Sequence, residues 1–313
     1  MAGDAGSRSG WHHQRVRLPK AVPALLTAAA VLLAVTACGA EPDVPAFVGG
    51  PATATAAAAA ASPSASTGPS PSAVATPTGR PRPPGQTKAG LLPPVVNHGP
   101  RTGDLVALTF DADMTDDMLA RLRSGTVESY ANVRIIEMLE RGKVPATFFL
   151  TGKWVQRYPE LTRRIAGNQR FELANHTFGH QAFTSSCYNL PRIPAAGMTE
   201  DVAKTFRIIE GYGGRQTRYF RFPGLCHDRA ALRALSPLGL TVVDGDVVSG
   251  DPFATDWRPI VKAVLSKVKP GSVVILHVTE ANARFTDEAL PHILKGLAER
   301  GLRPAPLSEV LGA

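Results

Sequence analysis

Between residues 101 and 313 the sequence predicts an α/β fold, a parallel sheet wound by crossover helices and either open or closed into a barrel. Two observations carry the fold class. Short runs rich in β-branched and aromatic residues recur along this region, and amphipathic stretches separate them. A third observation points to a site, because polar residues break the apolar pattern where the runs end. In both versions of such a fold, the carboxyl ends of the strands gather the functional groups.

The first expected strand, 105–110, runs into Asp111-Ala112-Asp113. Alternate residues of an extended chain share a face, so Asp111 and Asp113 turn toward one pocket while Ala112 turns away. Two carboxylates so placed can divide general-base and metal-ligand work, although Asp pairs at strand ends also serve as helix caps. A helix over 132–141 leads to a strand over 144–150, and a helix over 159–166 leads to a strand over 171–174. That third strand runs into Asn175-His176-Thr177-Phe178-Gly179-His180. Two histidines four apart lie on one side of a helical turn, and imidazole is a common neutral zinc ligand. Such a pair can also be a capping or core feature. An aspartate from a neighbouring strand would complete an Asp-His-His set with open positions for water and substrate.

A helix over 200–212 precedes the fourth strand, 218–222, in which Arg221 is a charge within an apolar run. It would be costly there unless paired with a carboxylate such as Asp111. Helix 229–236, strand 240–243 and helix 257–267 follow. The fifth strand leads to Asp244-Gly245-Asp246 and on to Asp251, and the sixth, 273–276, ends at His277. His277 is either a satisfied core residue or a general acid. A helix over 287–300 closes the series.

The amino-terminal third is of another kind. Basic residues before Ala21 and an apolar run over 21–37 have the layout of an export signal, and the run is short for a permanent membrane span. It closes on Val35-Thr36-Ala37-Cys38, which resembles the bacterial lipoprotein cleavage box; an ordinary signal peptide or an uncleaved anchor are the other readings. We expect residues 1–37 to be the signal and Cys38 to carry lipid, which would place the chain outside the cytoplasm on the outer face of the membrane. Residues 38–100, dominated by Ala, Pro, Ser, Thr and Gly, are expected to be a disordered linker. Such a tether would hold a domain at 101–313 within roughly 40 Å of the membrane.

Loss of residues 1–37 removes Arg8, Arg15, Arg17 and Lys20 with Asp4, and lowers the net charge from +8 to +5. No basic tract interleaved with aromatics accompanies that charge, which excludes a nucleic-acid partner of the usual kind. With Cys38 lipidated, only Cys187 and Cys226 remain. They suit a disulfide in an oxidising compartment, or two buried thiols. No Gly-x-Ser-x-Gly elbow or phosphate-binding glycine loop is present.

Together these segments resemble the polysaccharide deacetylases of the NodB-homology type, carbohydrate esterase family four. Thr109-Phe110-Asp111-Ala112-Asp113 is similar to the family's Thr-Phe-Asp-Asp-Gly, and His176-Thr177-Phe178-Gly179-His180 to its His-Ser/Thr-x-x-His. Arg221-Phe222-Pro223-Gly224 resembles its Arg-x-Pro element, Asp246 through Asp251 its fourth motif, and Leu276-His277 its fifth. The resemblance implies a distorted (β/α) barrel and a divalent metal, zinc above others, held by an aspartate with His176 and His180. It implies Asp111 as base oriented by Arg221, a backbone N–H at Gly224 for the oxyanion, and His277 steadied by Asp246 as acid. Removal of N-acetyl groups from an envelope polysaccharide, peptidoglycan or a chitin-like polymer of N-acetylglucosamine, is the activity implied, with no obligate protein partner. Two departures stand out: Ala112 fills the family's metal-ligand slot, for which Asp113 is the substitute by alternation, and Pro252 stands in place of the fourth motif's tryptophan. A glycan-binding module without catalysis, or a deacylase of another small amide or ester, are the rival expectations. A disulfide between Cys187 and Cys226 would clamp two loops beside the metal.

Overall fold

The computed structural model describes residues 82–312. The expected signal, Cys38 and the linker as far as residue 81 lie outside the described residues. Strands β1 (Val95–Val96), β2 (Leu105–Ala112), β3 (Ala146–Leu150), β4 (Phe171–Asn175), β5 (Arg215–Phe220), β6 (Thr241–Val243), β7 (Val247–Val248), β8 (Val273–His277) and β9 (Arg303–Ala305) form one sheet. Its order is β1-β6-β5-β4-β3-β2-β8-β7, with β9 added to β2, and every pairing is parallel. The sheet curls into the distorted barrel that the resemblance implied.

Helices α1 (Asp116–Arg123), α2 (Val133–Arg141), α3 (Gly152–Arg157), α4 (Pro159–Gly167), α5 (Met198–Glu210), α6 (Arg229–Leu235), α7 (Trp257–Leu265), α8 (Thr286–Glu299) and α9 (Leu307–Leu311) supply the crossovers and the carboxy-terminal end. Period-two alternation decides what each strand faces. Leu108 and Phe110 of β2 pack outward with Phe148, Ile135, Ile136, Leu139 and Ile293. Ala107 belongs instead to a second cluster with Phe149, Ala174, Tyr219 and Val243, which fills the barrel. Asp111 lies an even number of residues from Ala107, and so turns inward at the strand's carboxyl end.

The opposite end of the barrel is closed by Glu172. Its fully buried carboxylate accepts from Thr147 Oγ1 at 3.0 Å, Ser308 N at 3.1 Å and Arg215 Nη2 at 3.0 Å, and so ties β3, β5 and α9 together. A buried carboxylate is tolerated only when its lone pairs are taken up in this way.

The expected linker ends too late. Residues 82–100 belong to the domain: Thr87 N donates to Gly239 O, Arg218 N to Pro84 O and Gly99 N to Gly271 O, and β1 pairs with β6. Composition reads this segment as disordered because it has few large side chains to bury. Its order comes from backbone hydrogen bonds to Gly239, Arg218 and Gly271 and from the pairing of β1 with β6, partners that composition does not record.

Candidate active site

The two carboxylates of β2 and the residues following it open the site. Asp111 and Asp113 are 4% and 6% exposed, whereas Ala112 between them is packed in the outer apolar cluster, as alternation required. Asp111 Oδ1 accepts from Arg221 Nη1 at 2.6 Å. The wholly buried guanidinium also donates to Thr109 Oγ1 and, through Nε, to Val243 O, and it lies 4.0 Å over the Phe149 ring. Arg221 is therefore paired in the manner its sequence position demanded. A buried arginine this well fixed holds its partner carboxylate in one orientation.

His176 and His180 approach from the neighbouring strand end, but the helical turn expected between them is absent. His176 follows β4 directly, and Thr177 and His180 both have positive φ, at 72° and 55°. Asn175 Oδ1 accepts the Thr177 N–H, Asp201 Oδ1 accepts the Phe178 N–H, and the first residues of α3 donate to the carbonyls of Thr177 and Phe178. Gly152 permits that approach, since a Cβ there would fall 2.4 Å from Phe178 Cδ2. These partners hold a strained loop that an isolated helical turn would not form. The spacing of four still brings the rings together, 5.0 Å between centroids.

His176 Nδ1 lies 2.9 Å from Arg221 O, an atom that can only accept, so Nδ1 carries the proton and Nε2 is left with its lone pair. That Nε2 is 3.4 Å from Asp113 Oδ1, and His180 Nε2 is 3.3 Å from the same oxygen. Asp113 Oδ1 is buried without a hydrogen-bond partner. Donor atoms of the three side chains lie within 4.8 Å of one another. Burial carries the His180 imidazole down to about 4, against the pull of Asp113, so the ring is neutral at pH 7. Burial alone would raise the Asp113 carboxyl, but His180 and His176 beside it hold it below the usual carboxylate range. One carboxylate oxygen left without a hydrogen-bond partner and two imidazole nitrogens beside it fit a divalent cation, and the set is one zinc accepts.

His277 faces this cluster from β8, and here the structure corrects the sequence reading. Its partner is Asp251, not Asp246: His277 Nδ1 lies 2.8 Å from Asp251 Oδ1, and its backbone N–H donates to Oδ2 at 2.7 Å. Asp246 serves the other end of the strand, accepting from Val273 N, Ser272 Oγ and Arg101 Nη2. Val273 and His277 are the first and last residues of β8, so about 13 Å of extended chain separates the two aspartates' attachments. Both ends of the Asp246–Asp251 segment carry an aspartate, and each follows a positive-φ glycine, Gly245 or Gly250, so local sequence does not show which one reaches His277.

Asp111, Asp113, His176, His180, Gly224 and His277 line one cleft of about 190 Å³. Gly224, at φ 60°, sits against the disulfide that joins Cys187 to Cys226. The wall beyond Pro252 is built by Tyr188, Leu190, Leu225 and Phe253, residues for which the sequence reading had no role.

This constellation on a parallel barrel defines a family of hydrolases. A sequence model of the family described as polysaccharide deacetylase matches residues 98–243. A chitooligosaccharide deacetylase of Bradyrhizobium is 31% identical over 193 residues, which cover 56% of this chain and 82% of that protein. A peptidoglycan-N-acetylglucosamine deacetylase of Bacillus cereus is 26% identical over 217 residues, covering 68% and 90%. Among solved structures, a CE4 family pseudoenzyme from Bacillus anthracis shares the fold with a TM-score of 0.56 and 23% identity, covering 71% of this chain and 70% of that one. The chain belongs to the polysaccharide deacetylase family.

Proposed function

We propose that this protein hydrolyses the N-acetyl amide of an envelope polysaccharide of N-acetylated amino sugars and releases acetate. The observation that carries this reading is the meeting of three separately supported groups in one cleft: Asp111 on Arg221, Asp113 with His176 and His180, and His277 on Asp251. A module that only held a glycan would have no use for an oriented base opposite an oriented acid.

Asp113, His176 and His180 would hold the divalent ion, and such an ion supplies Lewis acidity toward an acetyl carbonyl and toward water. Asp111, oriented by the Arg221 guanidinium, takes the proton of the attacking water as its oxygen bonds to the amide carbon. The N–H of Gly224 is the backbone donor we assign to the developing oxyanion. Burial pushes the His277 imidazole down, but the Asp251 carboxylate overrides it and carries the group up to about 10. His277 therefore holds its proton at neutral pH and gives it to the sugar nitrogen as the carbon–nitrogen bond breaks. The acetic acid formed loses its remaining proton and leaves as acetate, the sugar keeps a free amine, Asp111 gives its proton to solvent and His277 takes one up from solvent.

Location and tether belong to the same proposal. The layout of residues 1–38 supports export and lipid attachment at Cys38, which favours a wall glycan near the membrane as substrate; the mass of the amino-terminal peptide from cells tests it. For the reaction, the full-length chain is assayed for bound metal and for acetate release from N-acetylated glycans, alongside Asp113→Ala and His176→Ala. Metal-dependent release lost in both variants supports the reading. No metal and no release from any glycan would sink it.

A further inference from the structure

Tyr188 and Phe253 are 70% and 77% exposed, and both line the catalytic cleft. They arise far apart in the sheet, Tyr188 after β4 and Phe253 after β7, with β3, β2 and β8 between. Their rings nonetheless meet with centroids 6.2 Å apart and planes 28° from parallel. Two large aromatic rings left mostly in water beside a reaction site are unfavourable there unless something covers them.

Both are also held where they stand. Tyr188 and its neighbour Asn189 have φ of 47° and 59°, a region that non-glycine residues enter at a cost. The preceding Cys187 is bonded to Cys226, and Phe183 roots the loop by packing on Phe220 and Phe222. Phe253 ends the short turn whose first residue, Asp251, reaches inward to His277. The same turn that orients the acid therefore presents an aromatic ring to the outside.

We propose that Tyr188 and Phe253 form an aromatic rim that receives the sugar ring adjoining the one being deacetylated, with the Cys187–Cys226 disulfide keeping the rim aligned with the cleft. The proposal rests on the deacetylase reading and adds where the rest of the polymer lies. A cleft of about 190 Å³ is smaller than the roughly 300–1,000 Å³ that encloses a whole ligand. A polymeric substrate must then extend over the mouth, where these rings offer flat apolar faces to the C–H faces of a hexose. The rim recognises ring faces rather than charge, so it selects a chain of sugars over a single acetylated one.

The test uses the full-length chain with the β-1,4-linked tetramer and the monomer of N-acetylglucosamine. Calorimetric affinity, together with KM and kcat for acetate release, is measured for wild type, Tyr188→Ala, Phe253→Ala and Tyr188→Trp. We expect each alanine variant to bind the tetramer about tenfold more weakly and to raise KM more than it lowers kcat, with Tyr188→Trp restoring affinity. The Cys187→Ser/Cys226→Ser double variant should weaken tetramer binding with both rings still present. Should that double variant fail to fold, the single aromatic variants, exposed and outside the core, decide alone. Unchanged tetramer affinity in both alanine variants, or a wild type that binds tetramer no better than monomer, overturns the rim. Ring-dependent tetramer binding without acetate release keeps the rim and overturns the deacetylase reading; release with a KM indifferent to both rings does the reverse.

Discussion

Asp251 grips His277 twice, through the imidazole Nδ1 at 2.8 Å and through the backbone N–H at 2.7 Å. Ser249 Oγ and Thr286 Oγ1 each donate to the same carboxylate at 2.7 Å, so its lone pairs are spoken for and its position is fixed. This carboxylate fixes both the tautomer and the basicity of the imidazole, and the first prediction follows from removing its charge.

In Asp251→Asn the imidazolium loses its counterion while burial remains, so its pKa drops from about 10. An acid is active only while protonated, so the basic limb of the pH–rate profile should move to lower pH. The loss of kcat at neutral pH should be about 10²- to 10⁴-fold. Asp246→Asn should leave the basic limb where it is, because Asp246 serves Val273, Ser272 and Arg101. A profile that shifts with Asp246 and not with Asp251 would restore the assignment read from the sequence.

Asp113 makes a second prediction measurable without substrate. Its Oδ1 is buried and unpartnered between two imidazole nitrogens, an arrangement a cation would relieve. Saturating zinc should raise the melting temperature of the wild type, with about 2.7 kcal/mol of stabilisation at a hundredfold excess over Kd. His176→Ala should lose most of that increment. Equal thermal shifts in both proteins would place the ion elsewhere.

Asp201 gives a pH-dependent stability. Burial raises its carboxyl to about 6, against the Phe178 N–H it accepts and the nearby Lys204 and Lys153. The folded state thus binds this proton more tightly than the unfolded chain, whose aspartate titrates near roughly 4. Stability from this group must fall as pH rises from about 4 through 6. Asn at this position still accepts the Phe178 N–H and removes the slope. Urea melts should find Asp201→Asn about 1–2 kcal/mol more stable than wild type at pH 8, after discounting for partial exposure, and level with it near pH 4. A variant less stable at pH 8 would show the charge to be favourable there.

Much of this was legible in the sequence for a physical reason. Six of the strands and six of the helices announce themselves because their side chains are buried on a regular period: residues expected at 229–236 fold as Arg229–Leu235, and those at 159–166 as Pro159–Gly167. Asp111 and Asp113 sharing a face is the same period at work. What escaped notice depends on long-range backbone pairing, on very short segments or, in α1, on an eight-residue helix that buries Met118 alone and so shows no apolar face. The two residues of β7 and the six of α3 are too short to show a period, and residues 82–100 are ordered by partners their composition does not record. Likewise Asp251 and Asp246 differ only in which end of β8 they reach, and Tyr188 and Phe253 are exposed, so no burial pattern marks them.

Glu172 yields the last prediction, at the end of the barrel away from the chemistry. Its carboxylate is fully buried, accepts from Thr147, Ser308 and Arg215, and is the one ion joining α9 to the sheet through Ser308 among the bonds described above. Removing one member of such a group leaves the rest buried without partners, which costs more than the intact group contributes. Glu172→Ala should therefore destabilise the fold by about 3 kcal/mol. Glu172→Gln, which keeps an acceptor for the Thr147 hydroxyl but loses the charge facing Arg215, should cost less. Hydrogen exchange should show α9 released first in Glu172→Ala, while the affinity for zinc at the other end of the barrel stays close to wild type. If metal binding fell in step with the loss at Glu172, the two ends of the barrel would be coupled through Tyr219 and Phe149, the layer of side chains between them.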